Sequence, residues 1–107
     1  MKQFLYRLQP TRLGMLTEGP TEHEASVVAA HFAYLLQLID EGTGLMAGRT
    51  LVESENTFGV VVFEAESEDF ARRVMENDPA VINGVMVAQL FPFRVALWSE
   101  KGPTTFD

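Results

Sequence analysis

Four consecutive apolar residues, Val60-Val61-Val62-Phe63, constrain this chain more than any other feature. A strand points successive side chains to opposite faces, so this run is apolar on both. Such a strand belongs in the centre of a sheet whose two faces are both covered. The closing strand repeats the demand, because Val85, Val87, Leu90, Phe91, Phe93 and Val95 also fall on both sides. Yet the chain has only 107 residues, enough for one domain with a thin core.

Around that run the pattern is β-α-β-β-α-β. From Lys2 to Gln9, Phe4, Tyr6 and Leu8 share one face of a strand and Leu5 and Arg7 the other; Pro10 ends it. Residues 10 to 21 carry Pro10, Gly14, Gly19 and Pro20 without a period. They read as a loop long enough for a lid or a partner contact. A helix spans roughly 22 to 41, opened by Thr21 and Glu24 at capping-box spacing and closed at Gly42. Val28, Phe32, Leu35, Leu36 and Ile39 form its apolar stripe. Strands follow from Leu45 to Val52 and from Phe58 to Ala65, joined by the polar residues 53–57. Ser67 caps a second helix whose buried stripe is Phe70, Ala71, Val74 and Met75; it ends before Asp78-Pro79. A short turn at Val81-Ile82 stops at Asn83-Gly84. The last strand runs from Val85 to about Leu97, bent at Pro92. Residues 1–98 then make one domain, and residues 99–107 a flexible tail.

Two right-handed crossovers on one antiparallel sheet give a ferredoxin-like α+β fold with both helices on one face. The other face is apolar and uncovered. The expectation is therefore a homodimer packed sheet to sheet.

Composition removes several function classes. Eight Lys and Arg against fifteen Asp and Glu leave a formal charge of −7. Nucleic acid and anionic lipid both call for a basic surface, so neither is an expected partner. No cysteine is present, which excludes disulfides, thiolate catalysis and Cys-ligated metals. No apolar run approaches a membrane span, and the N-terminal residues show no apolar leader. The expected location is the cytoplasm.

Several motif matches fail on context. His23-Glu24 begins a zinc-protease motif, but position 27 is Val27 rather than a histidine. His23 and His31 lie two helical turns apart, too far to share a metal unaided. Gly42-Thr43-Gly44 follows a helix and precedes a strand, the reverse of a dinucleotide-binding turn. Glu64, Glu66, Glu68 and Asp69 cluster where a helix begins and read as capping charge rather than a metal site. No metal is expected. His23, at a helix start, reads as solvent-exposed, and Tyr34 and Trp98 as packing residues.

His31 is different, since it borders the apolar stripe at mid-helix. It reads either as a satisfied boundary histidine or as a site residue. No acid lies at positions 27, 28, 34 or 35, so any carboxylate partner comes from elsewhere in the fold. Asp78 is the candidate. Its other reading is turn chemistry beside Pro79, and the two coexist because a carboxylate has several acceptor sites.

At these residues the chain resembles the YciI-like (YCII-related) family, part of the dimeric α/β-barrel superfamily. The blocks are His31-Phe32-Ala33-Tyr34-Leu35 with Leu38 and Gly42, and Gly59 to Ala65 with Ser67, Ala71 and Arg72. Asn77-Asp78-Pro79 with Gly84 and Phe91-Pro92-Phe93 complete the set. The match runs from about residue 30 to 97. The resemblance implies a dimeric ferredoxin-like fold and a catalytic pair, His31 and Asp78, meeting in a pocket beside the sheet. A carboxylate on one imidazole nitrogen fixes the tautomer and leaves the other nitrogen to move a proton. One departure is Arg49, where the family often has proline. It stands either as a clamp for a substrate carboxylate or as a partner of a surface acid.

Proteins similar in this way include dehydrochlorinase-type lyases and muconolactone isomerases, which need no cofactor. The expected function is thus a cofactor-independent lyase or isomerase moving protons on a small organic acid, with no cofactor. The alternative is a non-catalytic small-molecule-binding or accessory protein of the same fold. A purely structural interaction module is a third reading, and it predicts no enclosed pocket.

Overall fold

The computed structural model describes residues 1 to 106. The elements in order are β1 (Lys2–Pro10), α1 (Gly14–Thr17), α2 (Glu22–Asp40), β2 (Gly44–Arg49), β3 (Gly59–Ala65), α3 (Glu68–Glu76), α4 (Pro79–Ile82) and β4 (Met86–Phe93). The four strands form one sheet in the order β2-β3-β1-β4, and every pairing is antiparallel. This is the ferredoxin-like arrangement, with the helices packed on one face.

Strand alternation decides what faces the helices. Phe4, Tyr6 and Leu8 of β1 stand beside Phe63, Val61 and Gly59 of β3, their register partners. Cross-strand partners share a face. These side chains, with Ala65, Ala71 and Met75, form the main core, and Leu35, Val74, Met86, Ala88 and Leu90 pack around it. The Tyr6 ring meets Phe63 edge-on, with centroids 5.7 Å apart.

The opposite face carries Leu5 of β1 between Val62 of β3 and Phe91 of β4. Met46 of β2 extends the same row. Val62 is buried, but Met46, Val87, Phe91 and Phe93 are exposed in the single chain. Arg7 interrupts this face, donating to the Gln89 amide oxygen.

The cap of α2 forms as its sequence dictates. The Thr21 hydroxyl accepts from the Glu24 N–H, and the Glu24 carboxylate accepts from the Thr21 N–H. The stripe of α2, however, is turned from the one expected. Val27, His31 and Leu38 are the buried residues. Val28 and Leu35 are half-buried, while Leu36 and Ile39 are exposed and Phe32 is 70 % exposed. Two neighbouring rows on this helix are apolar enough to serve, and His31 at the buried row finds a hydrogen-bond partner that Phe32 does not need. In α3 the same correction applies to Phe70, which is exposed beneath the Arg73 guanidinium.

Three boundaries also differ. The expected loop 10–21 contains α1, whose Met15 is buried against Val27, Ala80 and Val85. Arg12 ties this segment down, with its Nε 3.0 Å from Glu24 and a further bond to the Gly19 carbonyl. The Arg12 guanidinium in turn holds the Glu24 carboxyl down at about 2. Strand β2 stops at Arg49 rather than Val52, after a bulge between Gly44 and Met46. Strand β4 stops at Phe93 and runs through Pro92, which an edge strand tolerates. Residues 99–106 contain no helix or strand, and position 107, the last of the expected tail, lies outside the described residues.

Candidate active site

Pro79 bars helical geometry at Asp78, so the residue stays extended and caps α4 from outside. Its Oδ1 accepts the Ala80 N–H at 2.9 Å. That is the turn chemistry expected at this position. The same carboxylate also reaches α2, with His31 Nδ1 2.7 Å from Oδ1 and 2.9 Å from Oδ2. A third donor, the Tyr6 hydroxyl, reaches Oδ2 at 2.8 Å from the central strand. Asp78 is 0 % exposed and His31 9 %. The structure therefore joins the two residues singled out in the sequence and adds a third.

Tyr6 was not among the expected site residues. A signal for it existed: strand alternation placed its ring on the core face with Phe4 and Leu8. A buried phenol there needs an acceptor. What the sequence lacks is any sign that the acceptor lies 72 residues away.

Acceptance by a carboxylate means that Nδ1 carries the proton, leaving Nε2 as the ring's free nitrogen. Among the described residues no protein group is bonded to Nε2. His31 lines a cavity of about 640 Å³ between the sheet, α2 and the segment around α1. Most of its wall is apolar, including Leu8, Met15, Val28, Leu35 and Met86. Arg49 and buried Thr57 provide polar groups on the β2–β3 side. The Arg49 guanidinium is exposed and bonds only the Thr50 carbonyl, with no acidic partner among the described residues. Phe106 stands at the rim, where it is 92 % exposed.

Tyr34 is half-buried and donates to the Val74 carbonyl at 2.7 Å. His23 is exposed at the start of α2, and Trp98 is more than half exposed. Glu68 and Asp69 lie in the first turn of α3. Among the described residues no group of three or more His, Asp or Glu is placed to hold a metal, and no helix is long and apolar enough to cross a membrane.

Both phenols resist ionisation. Burial, and next the Asp78 charge, push Tyr6 far above the ordinary value of 10.0. Burial pushes Tyr34 up to about 12. Each phenol thus binds its proton more tightly folded than unfolded. The resulting stability is present below pH 10 and is lost as pH rises toward the folded values. Phenolate absorbance is expected to appear together with loss of circular dichroism. Full ionisation of both tyrosines with the fold intact near pH 10 would contradict the buried Tyr6–Asp78 bond.

A ferredoxin-like sheet with a carboxylate-held histidine on the wall of an apolar cavity defines an α+β protein equipped with a candidate acid–base pair. The chain belongs to the YCII-related domain family, whose model matches residues 6–94. It is similar in structure to the 5-chloro-2-hydroxyhydroquinone dehydrochlorinase TftG of Burkholderia phenoliruptrix AC1100, solved in complex with 2,5-dihydroxybenzoquinone. The TM-score is 0.63 at 26% sequence identity, over 86% of this chain and 93% of that one. No curated protein sequence is significantly similar to this one.

Proposed function

We propose that the protein is a cofactor-independent lyase or isomerase that moves a proton on a small organic acid through His31. The observation that carries this reading is the 2.7 Å His31–Asp78 bond on the wall of a cavity. Asp78 orients the ring and stabilises the imidazolium, while Nε2 exchanges the proton. In a lyase step, Nε2 takes a proton from the substrate. The electron pair left behind forms the new double bond and expels an anionic leaving group from the next atom. In an isomerase step, the same nitrogen returns the proton at another carbon. The likeness to a dehydrochlorinase supports the lyase branch.

Arg49 is the proposed anion clamp. A guanidinium at an apolar cavity, with no acidic partner among the described residues, suits a carboxylate or phenolate, which it binds through two parallel hydrogen bonds. 2,5-Dihydroxybenzoquinone, the ligand of the similar dehydrochlorinase, is a fitting first probe. Arg49→Ala is expected to weaken its binding roughly tenfold or more, measured by calorimetry, on the scale of a charged hydrogen bond. Unchanged affinity would remove Arg49 from the site. Chloride release from chlorinated hydroxyquinols tests the activity itself. No release, with tight binding of the quinone, would favour the alternative of a non-catalytic binding or accessory protein. In that case the triple acceptance by Asp78 is a purely structural knot.

The proposed assembly is a homodimer joined through the open sheet face, in the cytoplasm. The support is the row Met46, Val62, Leu5 and Phe91, flanked by exposed Val87 and Phe93. Light scattering at micromolar concentration is expected to give twice the chain mass; a clean monomer would refute the dimer.

A further inference from the structure

Asp78 serves three donors, and only His31 among them takes part in the proton transfer proposed above. Tyr6 and His31 share Oδ2, at 2.8 Å and 2.9 Å. Tyr6 sits fully buried on β1, its ring fixed edge-on against Phe63. The direction of its hydroxyl is therefore set by the core and not by solvent. Donors on one carboxylate draw on the same negative charge, so each weakens the hold on the other.

We infer that Tyr6 is a positioning residue that sets how strongly Asp78 holds the Nδ1 proton of His31, and thereby how readily Nε2 takes up or releases a proton. The inference deepens the reading of His31 as proton carrier and rests on it. Among the described residues no other side chain is placed to do this. The Tyr34 hydroxyl is committed to the Val74 carbonyl, the third donor to Asp78 is the backbone N–H of Ala80, and Arg49 makes no bond to the carboxylate. A tyrosine that merely filled the core would leave the imidazole indifferent to its hydroxyl.

The test reads the His31 ring directly, by proton and nitrogen NMR of the full chain at neutral pH. Tyr6→Phe removes the donor and keeps the ring packing. The Nδ1–H resonance is expected to move downfield as the Asp78–His31 bond tightens, with the circular dichroism unchanged. Fluorotyrosine incorporated in a Tyr34→Phe background makes the Tyr6 phenol a stronger donor without removing it. The same resonance is then expected to move upfield. Opposite displacements support the inference; no displacement, or displacement in one direction in both proteins, overturns it. If Tyr6→Phe does not fold, the fluorotyrosine protein decides alone, an upfield move supporting the inference and a fixed resonance overturning it. The measurement needs no turnover. Fixed resonances in a protein whose activity depends on His31 overturn this inference alone. Opposite displacements in a protein without activity uphold the coupling and overturn the catalytic reading.

Discussion

Asp78→Ala is expected to destabilise the fold by about 3–5 kcal/mol, the scale seen when one partner of a buried pair is removed. The reason lies in what is left behind. Tyr6 O–H, Ala80 N–H and His31 Nδ1–H all lose their acceptor, in a place where Asp78 itself is 0 % exposed and water has no access. Each stranded buried donor costs about 1–3 kcal/mol, though one of them can turn toward the cavity. A domain of this size has only about 5–15 kcal/mol in hand. The variant should therefore unfold at much lower urea, read by circular dichroism. Asp78→Asn is the informative companion. It keeps an acceptor oxygen but presents an amide that cannot accept from all three donors, so its loss should be smaller. A loss below about 1 kcal/mol for the alanine variant would mean that the three bonds are not made together.

His31→Asn is expected to lower kcat/KM by about 10²–10⁴-fold, the usual contribution of a positioned general acid or base. Ligand affinity should change little, because Arg49 and the apolar wall are untouched. The loss thus falls on kcat and not on KM, the mark of an interaction made in the transition state. Asn also places an amide N–H where Nδ1–H donated to Asp78 and introduces no charge, which limits the stability cost. Turnover equal to that of the parent protein, on a substrate found by chloride release, would sink the proton-transfer proposal. A His31→Gln protein that melts at lower temperature yet binds the quinone normally and never shows turnover in any form would point to the non-catalytic alternative.

The elements of the fold were legible because each rests on a local cause. The capping box at Thr21 and Glu24, the double-faced run at Val60–Phe63 and the helix stop at Asp78-Pro79 are all short-range chemistry. The structure departs from the local pattern where two local choices are nearly equal. On α2 the rows through Val28 and Phe32 and through Val27 and His31 both satisfy helical spacing, and only tertiary packing selects the second, where Val27 meets Met15, Ala80 and Val85 and His31 meets Asp78. At residues 10–21 the glycines and prolines hid a four-residue helix that no local preference requires; it is held by Met15 in the core and by Arg12 on Glu24.

The site shows the same division. His31 and Asp78 stood out as residues, and the resemblance to a family suggested that they meet. The sequence alone determined the supply of chemistry: a chain without cysteine, with two histidines, an acidic surface and a two-sided apolar strand in want of cover. It also determined the order of the four strands and the two long helices, because periodicity and capping act within a few residues. The tertiary structure alone decided that one carboxylate accepts from β1, α2 and its own turn, and that Arg49 stands at the same cavity without an acidic partner among the described residues. Those contacts join positions 47 and 72 residues apart. No local rule fixes such distances; they follow from the register of β1 on its neighbours and from which face of α2 packs against α4.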